Sequence, residues 1–167
     1  MTRWIALIAL AAGCSGSSAS GPDPAAGGEA RAPGSTDDPG PVPVKKRTLA
    51  KDETITSASG ATFTASAGWT VEERPEGIVL TTPEGDLRVT HVELAESDRK
   101  KAVAAAWKRV DPKFALAVAQ EVDLPARDGW DAIAQVVYVT PAAEQRLVVA
   151  VARRKGPTWY VSLIDGK

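Results

Sequence analysis

The sequence predicts an α+β domain: a mainly antiparallel sheet of about six to eight strands with one principal helix packed on one face. Three observations carry that prediction. Short runs of alternating apolar and polar residues recur along most of the chain, each closed by a Gly, Pro or Asp turn. The turns have hairpin length, which pairs neighbouring strands antiparallel. Only the segment after Ser97 changes its apolar period from two to 3.6.

The domain is expected to span 48–167. Residues 54–56 form a short edge strand. Residues 61–65 alternate and run into the Ala67-Gly68 turn, and 69–73 alternate until Pro75-Glu76-Gly77 stops them. Residues 78–82 lead to the turn Pro83-Glu84-Gly85-Asp86, and 87–94 follow. After the helix, strands are expected at 115–122, 130–140, 146–153 and 158–164, separated by Pro125, Asp128-Gly129 and Lys155-Gly156-Pro157. Gly and Pro mark these turns because the one permits positive φ and the other fixes φ for a turn.

Ser97 is placed as the helix N-cap, with Asp98 at the positive end of the dipole. Val103, Trp107 and Val110 stand at i, i+4 and i+7 and form one apolar stripe. Ala102 and Ala106 flank it and allow close approach to a sheet. Lys108 and Arg109 suit the last turn, and Pro112 forbids continuation.

The N-terminus carries a different signal. Arg3, the apolar run from Trp4 to Leu10 and the small residues before Cys14 make a short secretory signal, residues 1–13. The apolar run is too short to span a bilayer, which takes about 20 such residues. Leu10-Ala11-Ala12-Gly13-Cys14 resembles a bacterial lipobox. The resemblance implies cleavage before Cys14 and acylation of its thiol, so that acyl chains anchor the protein in a membrane. Two or more chains hold stably where one holds only marginally. Ser15 after the cysteine favours the outer membrane, facing the periplasm or exterior. Residues 14–47 form a disordered tether, rich in Gly, Ser, Ala and Pro, with a span of roughly 30 Å. Lys45-Lys46-Arg47 closes it as a solvated charge run.

Composition excludes several functions. Without residues 1–13 the chain keeps 19 basic and 21 acidic side chains, a net charge of −2. Nucleic-acid-binding domains are usually strongly basic, so no nucleic acid is expected. One His and one Cys cannot assemble a zinc or copper site, and no cofactor is implied. With Cys14 acylated, no internal disulfide can form.

Few residues suggest chemistry. Ser97-Asp98-Arg99-Lys100 has the S-x-x-K spacing of penicillin-recognising serine enzymes, but it lies in a charged setting without the partner motifs, so Ser97 is read as a cap. His91 sits mid-strand between Thr90 and Val92. A functional imidazole needs a nucleophile or an orienting carboxylate, which only the fold can supply, and His91 is read as structural or surface-lying. Asp128 and Asp131 bracket Gly129-Trp130 as a turn, with too few oxygens for a calcium loop. Trp107 and Trp159 are assigned to the core. Trp69 and Trp130 each follow a glycine turn and are the candidates for ligand or partner contact.

Five segments carry a resemblance: Phe63-Thr64-Ala65-Ser66-Ala67-Gly68-Trp69, Pro83-Glu84-Gly85-Asp86, Ala104-Ala105-Ala106-Trp107, Arg127-Asp128-Gly129-Trp130 and Lys155-Gly156-Pro157-Thr158-Trp159. Across 60–167 the chain resembles the N-terminal accessory domain of bacterial lipid-anchored serine hydrolases related to class C β-lactamases, with a PsbP-like fold. The resemblance implies a catalytic apparatus beyond Lys167 and no catalytic residue here.

Three readings follow. The chain is a non-catalytic, lipid-anchored envelope domain acting as a spacer, docking or accessory module. Alternatively it is the front part of a serine hydrolase, or a ligand-binding lipoprotein that uses an exposed tryptophan. One further expectation concerns cover. Residues 146–153 are apolar on both faces, and so are their neighbours, which calls for cover on both sides. With one helix visible, the second cover is expected from a following helix, a downstream domain or a partner protein. That places an exposed apolar patch around Val148, Ala150, Tyr138 and Tyr160.

Overall fold

A computed structural model describes residues 44–167. The expected signal segment, the expected lipidation site Cys14 and the expected tether as far as residue 43 lie outside the described residues. Ten strands and one α-helix make up the described chain, with a short 3-10 turn at Ala142–Glu144. The strands are β1 (Lys45–Thr48), β2 (Glu53–Thr56), β3 (Thr62–Ala65), β4 (Thr70–Arg74), β5 (Gly77–Thr81) and β6 (Leu87–Leu94). The helix α1 (Arg99–Val110) follows, then β7 (Val118–Leu124), β8 (Ala132–Tyr138), β9 (Leu147–Lys155) and β10 (Thr158–Gly166). Eight strands form one sheet in the order β1-β4-β5-β6-β10-β9-β8-β7, and β2 and β3 form a separate two-stranded sheet. Every pairing is antiparallel. The domain is therefore more sheet-dominated than the expected α+β layout, with the helix inserted between the two halves of the sheet.

Three local expectations are corrected. Lys45-Lys46-Arg47 does not belong to the tether; it forms most of β1, with its side chains exposed. Lys46 Nζ meets Glu72 Oε1 at 2.8 Å, and Arg47 reaches both carboxylate oxygens of Glu53 at 2.6 and 2.8 Å. These partners make an extended backbone tolerable for three adjacent cations. The N-cap is Asp98 rather than Ser97: its carboxylate accepts from the backbone N–H of Lys101 at 2.9 Å. The carboxylate wins because it accepts a charge-assisted bond at the positive end of the helix. The strand expected at 115–122 begins at Val118 and ends at Leu124, set by its register with β8 and a bulge between Val118 and Gln120.

Side-chain alternation divides the core in two. On one face α1 lays Ala102, Val103, Ala106 and Trp107 over Val92, Val161, Leu163 and Ala150. Trp107 stacks on Phe114 with centroids 3.8 Å apart and meets Tyr138 edge-on at 5.6 Å. Its indole N–H donates to the Tyr138 hydroxyl at 2.8 Å. On the other face the β2–β3 hairpin brings Ile55, Phe63 and Ala65 onto Val71, Leu80 and Val89.

The expected exposed patch is accordingly corrected. Val148 and Ala150 are fully buried and Tyr138 is 7% exposed, all three in the core beneath α1. Tyr160 lies on the opposite face, because side chains alternate along β10. The β2–β3 hairpin covers the other face over β4, β5 and β6, and its Ser59 reaches Tyr160 of β10, while Leu147 at the start of β9 is 56% exposed. A hairpin that covers a sheet carries the same period-two pattern as the sheet it covers.

Candidate functional site

The hairpin does not close down on the whole face. Between its turn, the sheet and the β7–β8 loop lies a cleft of about 550 Å³. Register builds its floor. His91 of β6 stands opposite Ser162 of β10, and Glu93 stands opposite Tyr160, which in turn faces Arg153 of β9. Phe63 of β3 and Trp130 of the β7–β8 loop supply walls.

The loop that presents Trp130 is firmly held. Asp128 and Gly129 take positive φ of 55° and 79°, the tight reversal that Asp-Gly favours. The Lys155 ammonium donates to the Gly129 carbonyl at 2.5 Å, and the Gly156 N–H donates to the Asp131 carboxylate at 2.7 Å. Asp131 thus anchors a turn, and among the described residues no group of His, Cys, Asp and Glu is arranged to hold a metal. Trp130 meets Tyr160 at 5.2 Å with planes 62° apart.

At the back of the cleft, Ser162 Oγ and His91 Nδ1 share a hydrogen bond of 2.8 Å. The ring of Phe63 lies against the imidazole, with centroids 4.2 Å apart. Burial, with a smaller contribution from the Arg153 charge, pushes the His91 pKa down to about 4, so the imidazole is neutral at physiological pH. Near the cleft mouth Ser59 ties the hairpin to the sheet. Its N–H and hydroxyl donate to Glu93 at 3.2 and 2.9 Å, and its hydroxyl lies 3.1 Å from that of Tyr160.

Of the residues singled out from sequence, the structure brings Trp130, Tyr160 and His91 to one cleft. Trp69 is partly buried against the hairpin core, away from the cleft. Val148, Ala150 and Tyr138 are core residues. Ser97 receives the Lys101 ammonium at 3.5 Å on the exposed surface. Sequence reasoning missed Ser162, Phe63 and Arg153. Ser162 did leave a signal, being the sole polar residue between Trp159 and Ile164. Among the described residues no helix is long and apolar enough to cross a membrane. No family model, no curated protein and no solved structure matches the chain.

Proposed function

We propose that this chain is a lipid-anchored, non-catalytic domain of the bacterial cell envelope that works as a docking or accessory module, with the cleft beneath the β2–β3 hairpin as its binding surface. The observation that carries the reading is the meeting of Trp130 and Tyr160, from distant segments, at the wall of a 550 Å³ cleft. That volume lies within the range of about 300–1,000 Å³ usual for ligand pockets, and aromatic walls with a few polar groups are their usual lining. The lipobox at Cys14 supports the anchor, and an accessory role is what the resemblance to hydrolase-linked domains implies.

A non-catalytic reading fits the Ser162–His91 pair. Ser162 is only 5% exposed in the middle of β10, and the imidazole presents its face to Phe63 rather than to open solvent. A serine nucleophile needs an accessible hydroxyl and a base held by a third group. A fragment titration followed by amide and indole chemical shifts tests the proposal. Shifts are expected to gather at Trp130, Tyr160 and Phe63, and to vanish in Trp130→Ala. Binding confined to other surfaces would overturn the reading. So would hydrolysis of nitrocefin or a nitrophenyl ester that is lost in Ser162→Ala or Ser97→Ala.

A further inference from the structure

One charge in the cleft has no partner. Arg153 is partly buried in the row Glu93–Tyr160–Arg153–Ile133, and among the described residues its side chain makes neither an ion pair nor a hydrogen bond. The other charged groups are engaged. Arg74 is paired with Glu72 and Glu76, and the Glu93 carboxylate accepts from Ser59. Arg109 donates to the Glu93 carbonyl at 3.5 Å, and Glu73 is exposed in the field of Arg47. Arg127 and Asp128, the charges that act on Arg153 from the Trp130 loop, pair with each other at 3.8 Å. Tyr160 stands between Arg153 and Glu93 and keeps those two apart.

A partly buried guanidinium without a counter-charge carries a desolvation cost, and burial holds the Arg153 pKa below the usual arginine value. Its planar fork matches a carboxylate in a bidentate pair. A dianion such as a phosphate suits the site poorly. Arg153 is the one partly buried cation without an acidic partner there, since Arg109 is exposed; the imidazole beside it is neutral, and Glu73, Glu76 and Glu93 line the same cleft. Trp130 and Tyr160 offer flat apolar surface next to the guanidinium.

We infer that the cleft takes a monoanionic ligand, a carboxylate on a flat apolar body, with the carboxylate paired to Arg153 and the body against Trp130 and Tyr160. The inference rests on the reading of the cleft as the binding surface, and it adds the chemistry of what is bound. A small aromatic acid and the free C-terminus of a peptide ending in an aromatic residue share this chemistry.

Calorimetric titration of the purified full-length chain separates the possibilities. The probes are 2-naphthoate, its neutral amide, 2-naphthyl phosphate, and a tripeptide ending in tryptophan with a free or an amidated C-terminus. The naphthoate is expected to bind roughly tenfold or more tighter than its amide, and tighter than the phosphate, as a charge-assisted bidentate pair requires. Arg153→Gln should reduce the acid-to-amide ratio to about one. Arg153→Lys, which keeps the charge and loses the fork, should retain part of the preference, and it serves if the glutamine variant fails to fold. Trp130→Ala should weaken acid and amide alike. Preference of the free over the amidated tripeptide, exceeding that for naphthoate, assigns the site to peptide termini, and the reverse assigns it to small acids. Equal binding of acid and amide, or a preference that survives Arg153→Gln, overturns the inference and leaves the cleft as a binding surface. Absence of binding by every probe overturns the inference and counts against the binding reading itself.

Discussion

Acidification should loosen this domain through His91. The imidazole is packed neutral between Phe63 and Ser162, and its pKa falls from 6.5 to about 4 on folding. The sign follows from the direction of the shift. Below pH 6.5 the unfolded chain binds a proton at His91 that the folded chain refuses, so stability declines as pH falls from 6.5 towards 4 and then levels off. Each pKa unit is worth about 1.4 kcal/mol, so the loss is about 2 kcal/mol at pH 5 and about 3 kcal/mol at its limit. That is a large share of the 5–15 kcal/mol typical of a domain. Carboxylates act in a lower window. Glu72 is held below its usual pKa first by hydrogen bonding to Lys46 and then to Arg74, so its contribution is present above the ordinary carboxylate range and is lost as pH falls through the folded value. Urea midpoints for the wild type and His91→Gln, measured from pH 7.5 to 4.5, separate the two effects, because the carboxylates are common to both. The wild-type curve should fall relative to the variant by about 2 kcal/mol between pH 7 and pH 5. Parallel curves would refute the argument and show that His91 is solvated or moves out on protonation at little cost.

Other outcomes follow from single contacts. Gly77 has φ of 149°, and a Cβ there would collide with the His91 backbone carbonyl, so Gly77→Ala should cost at least about 2 kcal/mol in urea unfolding. Trp107→Ala removes the aromatic centre of the helix-side core and should cost about 3–5 kcal/mol. Tyr138→Phe leaves the Trp107 indole N–H unpaired and should cost about 1–3 kcal/mol, while a thermal midpoint unchanged in both variants would show that α1 packs elsewhere. Metabolic labelling with a palmitate analogue should mark the wild type and not Cys14→Ala, and equal labelling of both would remove the anchor from the proposal.

Local chemistry made much of the fold legible. The strand 87–94 coincides with β6, because its turn residues and alternation agree. The pair of core tryptophans, Trp107 and Trp159, was readable from their places in a helical stripe and an alternating strand. Where the deciding partner is remote, the sequence was silent. Lys46 needs Glu72 to become a strand residue, and that partner belongs to β4. β7 is exposed for most of its length and so lacks the alternation of burial that would have fixed its ends. The cleft is a property of register: Ser162 and His91 are 71 residues apart, and nothing short of the β6–β10 pairing puts them side by side. The patch around Val148, Ala150 and Tyr138 was misplaced for a related reason, since apolarity on both faces of β9 does not say which face the helix takes.

The outermost strands of the large sheet also bear on the membrane-anchored state proposed above. Many copies held by their N-termini on one membrane would meet at high local concentration, where an open backbone rim invites one sheet to extend into the next. β1 presents Lys45, Lys46 and Arg47 along its rim, and any neighbour pairing there would have to strip water from those cations. β7 carries a bulge between Val118 and Gln120, and its Glu121 and Asp123 are drawn towards α1 by Arg99. Irregular spacing at one rim and hydrated charge at the other both oppose stacking. The feature that hid β1 from the sequence reading is thus the one that would keep copies apart if they are anchored as proposed.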